Sequence, residues 1–139
     1  MARLRKSGAF VPALSIVAEQ EGKLVGHILF TKIMIVNDRY SSPSLALAPV
    51  SVLPAYQGKG IGSTLIEHGH LIARQLGFES VVLLGHAEYY PRFGYERADT
   101  YGISLPFEVP PENVMVYALH EGALDDVHGL VEYTEEFFA

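Results

Sequence analysis

The chain has 139 residues, 49% of them apolar, which is enough for one domain spanning 1–139 with a buried core and too apolar for a disordered chain. Its net charge of −6 argues against a nucleic-acid partner and against docking on an anionic membrane, since both call for a basic face. It contains no cysteine, which excludes disulfides, a thiolate nucleophile and Cys-ligated zinc, and suits a cytoplasmic protein.

Arg3, Arg5 and Lys6 precede an apolar run at 9–18 that loosely resembles an export leader. Pro12 and Ser15 interrupt that run, and residues 14–18 also read as a β-branched strand. No run approaches the roughly 20 apolar residues needed to span a bilayer. Glu21-Gly22 marks a turn and residues 24–36 alternate as a long strand, so the first two strands form a hairpin. Residues 37–44 are polar with Pro43 and read as a loop. Residues 45–53 are nearly all apolar, as in a central strand buried on both faces, and Pro54 ends them.

Ile61, Leu65, Ile66, Ile72, Ala73 and Leu76 recur at helical spacing, and Gly77 suits the end of that helix. Residues 81–84 read as a second buried strand, parallel to the first through a right-handed crossover. Residues 87–93 read as a short helix cut by Pro91, 107–111 as loop, 114–119 as strand and 129–133 as a weaker strand. His68 and His70 lie two apart on the helix and face different ways, so both are expected in solvent. The remaining histidines are scattered and no metal site is expected.

The functional signal is Gln57-Gly58-Lys59-Gly60-Ile61-Gly62, between a strand and a helix. Glycines let the backbone approach a ligand closely. The helix turns its free N–H groups and the positive end of its dipole into the same turn, an arrangement suited to phosphate or pyrophosphate. A P-loop needs its lysine after the glycines, and Lys59 lies among them. A dinucleotide fold needs a third glycine where Ser63 stands, and Glu79 begins the next strand where an acid should end it. A tight connection without any ligand is the plain alternative.

Gln57, Gly60 and Gly62 match the pattern Gln/Arg-x-x-Gly-x-Gly/Ala in full, and Val52-Leu53-Pro54 precedes it as Val-x-Pro. Tyr90-Pro91-Arg92-Phe93-Gly94-Tyr95 fits Tyr-x-x-x-Gly-aromatic. On these residues the chain resembles the GNAT superfamily of acetyl-CoA-dependent N-acetyltransferases, over about residues 14–133. The resemblance implies an α/β (α+β) fold, a mixed and mostly antiparallel sheet flanked by helices. It implies acetyl-CoA as co-substrate, an amine as acceptor and no metal.

By resemblance, backbone N–H groups of Gly58, Lys59, Gly60, Ile61, Gly62 and Ser63 hold the CoA pyrophosphate. Lys59 adds only screened surface charge. The strand before the turn splays from its neighbour, so Val50 and Val52 offer backbone groups to the pantetheine arm. An N–H near Val52 polarises the thioester carbonyl. Tyr90 matches the family's general acid toward the thiolate; with a pKa of about 10 against about 8.5 for a thiol, it is protonated at neutral pH. A packed core tyrosine is the plain alternative for Tyr90. Deprotonating a lysine-like amine at pH 7 costs roughly 4–5 kcal/mol, so a base is expected, with Glu88 and His86 as candidates.

The family's first strand and most of its first two helices have no counterpart here; residues 2–7 are at most a remnant of the second helix. The strand at 14–18 is therefore expected to present an open sheet edge. A second copy of the chain would cover it in a homodimer, or the chain would show impaired activity. A non-catalytic acyl-CoA-binding module and a Rossmann-type enzyme remain the alternatives, and the sequence does not identify the acceptor.

Overall fold

The structure is a computed structural model that describes residues 10–133. The expected helix remnant at 2–7 lies outside the described residues. The first strand, β1 (Phe10–Gln20), and the second, β2 (Lys23–Val36), form the expected hairpin. Glu21 and Gly22 both have positive φ, 53° and 79°, and Gln20 pairs with Lys23, so the connection is a two-residue turn whose twist matches the strands.

The third strand, β3 (Ser41–Val52), starts earlier than its apolar run suggested. The turn before it is short because the Asn37 side-chain oxygen accepts from the N–H groups of Arg39 and Tyr40, at 2.9 and 3.1 Å. Ser41 then pairs with Val36, and Pro43 falls where only β2 lies alongside, so its missing N–H disrupts no second ladder. Burial on both faces is confined to Ser44, Leu45, Ala46 and Leu47; beyond them β3 becomes exposed.

Helix α1 (Ile61–Gln75) follows, then β4 (Ser80–Leu84), β5 (Glu96–Arg97), β6 (Ile103–Ser104), β7 (Val114–Ala118) and β8 (Gly129–Glu132). The sheet order is β5-β7-β4-β3-β2-β8-β6, with β1 also on β2. The β3–β4 pair is parallel, as expected, and most other pairs are antiparallel. That excludes the doubly wound parallel sheet of a Rossmann fold. Among the described residues α1 is the one α-helix, and none is long and apolar enough to cross a membrane. The very short β5 and β6 escaped the sequence pattern.

Residues of alternating parity fill two cores. Ile28, Phe30, Leu45, Leu47, Val81, Leu83 and Met115 pack toward α1. Ile33, Ile35, Ala46, Val82, Val116 and Val131 pack on the opposite face. Each such side chain contributes about 1.5–3 kcal/mol.

The buried face of α1 consists of Leu65, Ile66, Gly69, His70 and Ala73. Two expectations fail here: Leu76 is 50% exposed, and His70 is buried. His70 continues the buried face of Ile66 and Ala73, and Gly69 beside it leaves no room for a Cβ against the Phe30 ring, so the helix rides close to β2. Phe78 and Gly77 donate back to Ala73 and Arg74 at 3.1 Å and close the helix in a Schellman arrangement.

Candidate active site

β3 changes character after Ala46. It pairs with β4 only at Leu45 and Ala46. Against β2, Ile28 faces Val50 while Phe30 faces Leu47, so β3 carries one extra residue in a bulge. Position 49 in that bulge is proline, which has no N–H for a ladder. The strand bends here and leaves β4.

What remains is an edge with defined polarity. The Leu53 N–H donates to the Val25 carbonyl at 2.9 Å. In that register Leu53 and Ser51 turn their backbone groups toward β2, and Val50 and Val52 turn theirs away. No strand of the described residues faces them. The Val52 carbonyl is already taken by the side-chain amide of Gln57, at 3.0 Å. The Val52 N–H and both groups of Val50 remain open.

The turn after β3 runs through a single 3-10 turn, Pro54–Tyr56, into the glycines. Gly58 and Gly60 have φ of 77° and 82°, with nothing within 4 Å of where a Cβ would stand. Gly60 caps α1, no side chain caps it, and the first turn holds no acid. The first helical bond runs from the Thr64 N–H to the Gly60 carbonyl at 3.0 Å. The N–H groups of Ile61, Gly62 and Ser63 are therefore free of intrahelical acceptors and face an open turn, a fit for an anionic ligand. Lys59 is exposed, with its ammonium 5.5 Å from the Tyr56 ring centre.

Tyr90 opens a second 3-10 turn, Tyr90–Phe93, at the end of β4. This replaces the expected helix at 87–93. Pro91 sits in its first positions, where no N–H is required, so it starts the turn rather than cutting it. Tyr90 is half-buried among aromatic edges, with ring centres of Tyr89 and Tyr95 at 5.0 and 5.9 Å. Its hydroxyl has no protein partner among the described residues. Burial, and then the neighbouring Tyr89, push its pKa above the ordinary tyrosine value. His86 and Glu88 are both exposed and make no side-chain hydrogen bond among the described residues.

Two groups here were missed by the sequence reading. Tyr89 reaches the first turn of α1, with its hydroxyl 3.4 Å from the Ser63 Oγ. Nothing in the motif distinguishes it from Tyr90 beside it. Behind Tyr90, the His70 Nε2 and the Tyr95 hydroxyl share a 2.8 Å hydrogen bond, and the His70 ring stacks on Tyr117 at 4.6 Å. Burial, then the charge of Arg74, lowers the His70 pKa to about 4. A signal for His70 existed: it lies four residues after Ile66 and three before Ala73, on the apolar stripe.

A splayed strand, an uncapped glycine turn and a tyrosine beyond the next strand occur together in this chain, and residues 12–97 match the acetyltransferase (GNAT) domain model. The chain belongs to the GNAT family. It is 46% identical to the uncharacterized N-acetyltransferase YjhQ of Escherichia coli over 103 residues, 73% of this chain and 57% of YjhQ. It thus spans little more than half the length of that relative. It is 29% identical to the uncharacterized N-acetyltransferase YhbS of E. coli over 134 residues, 96% of this chain and 78% of YhbS.

Solved structures agree. The crystal structure of E. coli YhbS in complex with CoA superposes with a TM-score of 0.88, covering 99% of this chain and 75% of that one. A GNAT family acetyltransferase from Brucella melitensis in complex with acetyl-CoA has a TM-score of 0.75 and 34% identity, covering 98% of this chain and 74% of that one.

Proposed function

We propose that this chain transfers an acetyl group from acetyl-CoA to a primary amine of a small molecule or protein. The observation that carries this reading is the splay of β3 from β4 directly before an uncapped, glycine-lined helix start. In this reading the N–H groups from Gly58 to Ser63 hold the pyrophosphate. Hydrogen bonds to a charged group contribute about 1.5–3 kcal/mol each, so a few suffice for anchoring. Val50 and the Val52 N–H take the pantetheine arm as an added strand. In the same reading the Val52 N–H stabilises the negative charge that develops on the thioester carbonyl.

The amine nitrogen attacks the thioester carbon, the C–S bond breaks and the thiolate takes the Tyr90 hydroxyl proton. The raised pKa of Tyr90 keeps that proton in place through neutral pH. His86 and Glu88 are the candidates to take the proton from the amine, since both sit in the turn leading to Tyr90. A cytoplasmic homodimer is the proposed setting. The cysteine-free composition supports the first part, and the outer edge of β1, unpaired among the described residues, supports the second.

The test is an acetyl-transfer assay that follows release of free CoA thiol over a panel of primary amines. Turnover that falls in Tyr90→Phe supports the reading. Saturable acetyl-CoA binding without turnover on any amine overturns catalysis and leaves a non-catalytic acyl-CoA-binding module.

A further inference from the structure

Gly26 on β2 faces α1, since a Cβ there would stand 3.1 Å from Leu65 and 3.2 Å from Ile61. Side chains alternate along a strand, so Val25 and His27 point to the opposite face. There they line a cavity of about 410 Å³ together with Ser15, Ser51 and Leu53. That volume suits a small ligand. The rest of the wall is aliphatic, glycine and proline, and among the described residues it holds no acid, lysine or arginine. Val52 also lines it, so the cavity reaches the open edge of β3.

His27 is the group in this wall that can take up a proton. It pairs in register with Val17 on β1 and with Ser51 on β3, the residue before Val52. Its Nε2 lies 3.2 Å from the Ser15 Oγ. The Nε2–H tautomer donates to Ser15 and leaves the Nδ1 lone pair without a partner among the described residues. His27 is half-buried and held in place, whereas His86 and Glu88 are exposed and held by no side-chain hydrogen bond. An imidazole with one nitrogen tied and the other open is arranged to accept a proton. The same wall offers no partner to a further positive charge, which would be costly to bury unpaired.

We infer that this cavity receives the acceptor, a monoamine on an apolar carbon skeleton, and that His27 takes its proton. This rests on the acetyl-CoA reading above. Val52 joins the two halves: in that reading its N–H serves the thioester, and it also lines the cavity. The acceptor nitrogen gives a proton to His27 Nδ1 as its lone pair forms the C–N bond. The C–S bond breaks and the thiolate takes the Tyr90 hydroxyl proton. Exchange with water returns both side chains to their starting forms, and Ser15 keeps the ring oriented throughout.

The test is acetyl transfer to 2-phenylethylamine, hexylamine and spermidine by the wild-type chain, His27→Ala and His27→Gln, with acetyl-CoA affinity measured by calorimetry. The wild type is expected to favour the two apolar monoamines over spermidine by about 10-fold or more in kcat/KM. Both variants are expected to lose about 100-fold in kcat with acetyl-CoA affinity unchanged. Added imidazole is expected to restore turnover in His27→Ala and not in His27→Gln, after subtraction of imidazole acetylation without amine. Unchanged kcat in the variants, or a loss that imidazole does not restore, overturns the role of His27. Preference for spermidine, or no turnover on either monoamine by a wild type that binds acetyl-CoA, overturns the acceptor class and leaves the acetyl-CoA reading standing. Failure of the wild type to bind acetyl-CoA overturns that reading and this inference with it.

Discussion

The side-chain amide of Gln57 donates to the carbonyl of Val52 at 3.0 Å, tying the first residue of the glycine turn to the last residue of β3. The turn and the splayed strand are thereby held as one unit. Gln57→Ala leaves the turn anchored by its backbone alone. A neutral hydrogen bond contributes about 0.5–1.5 kcal/mol net, so KM for acetyl-CoA is expected to rise about 2- to 10-fold with kcat little changed. Steady-state kinetics at saturating amine checks this, and a fall in kcat with unchanged KM counts against it.

Tyr90→Phe removes the proposed proton donor and keeps the ring that packs against Tyr89 and Tyr95. The expected loss in kcat is about 100-fold or more, with acetyl-CoA affinity unchanged. Because the Tyr90 pKa is raised, any loss of its acid form falls above pH ~10. Equal kcat in the two proteins would remove Tyr90 from the chemistry.

His70 gives the fold a pH dependence. In the unfolded chain it takes up a proton near pH 6.5, whereas in the fold it stays neutral down to about 4. Between those values the unfolded state binds more protons, so stability is full above pH 6.5 and declines as pH falls toward 4. The contribution at stake is on the order of 3 kcal/mol. Urea denaturation from pH 7 to 4 is expected to show this slope in the wild type. His70→Gln, which can still bond the Tyr95 hydroxyl, is expected to flatten it.

Gly69→Ala forces a methyl group into the Phe30 ring. Overpacking of this kind costs about 1–3 kcal/mol. A lowered thermal midpoint is expected, and Gly69→Ala with Phe30→Leu is expected to recover part of it. An unchanged midpoint would mean that α1 can lift from β2 without cost.

The elements that the sequence made legible are those with strong periodic or turn signals. The β1–β2 hairpin, α1 and the glycine turn fall within a few residues of where the pattern puts them. The early start of β3 was hidden because Ser41, Ser42 and Pro43 look like a loop, and only pairing with the far end of β2 makes them a strand. β5 and β6, two residues each, are created by their neighbours and have no pattern of their own. In the candidate site, the motifs singled out Gln57 and Tyr90. His70 was misread because it was weighed against His68 instead of against the apolar stripe it continues.

Acetyl-CoA seated on the glycine turn is tested most directly by thermal-shift titrations of the wild-type chain with acetyl-CoA and, separately, with NAD. At 100 times the dissociation constant a single site adds about 2.7 kcal/mol of stability. A saturable rise in midpoint with acetyl-CoA and none with NAD is the expected outcome. No shift with acetyl-CoA, or an equal shift with NAD, would mean that the turn does not hold this ligand.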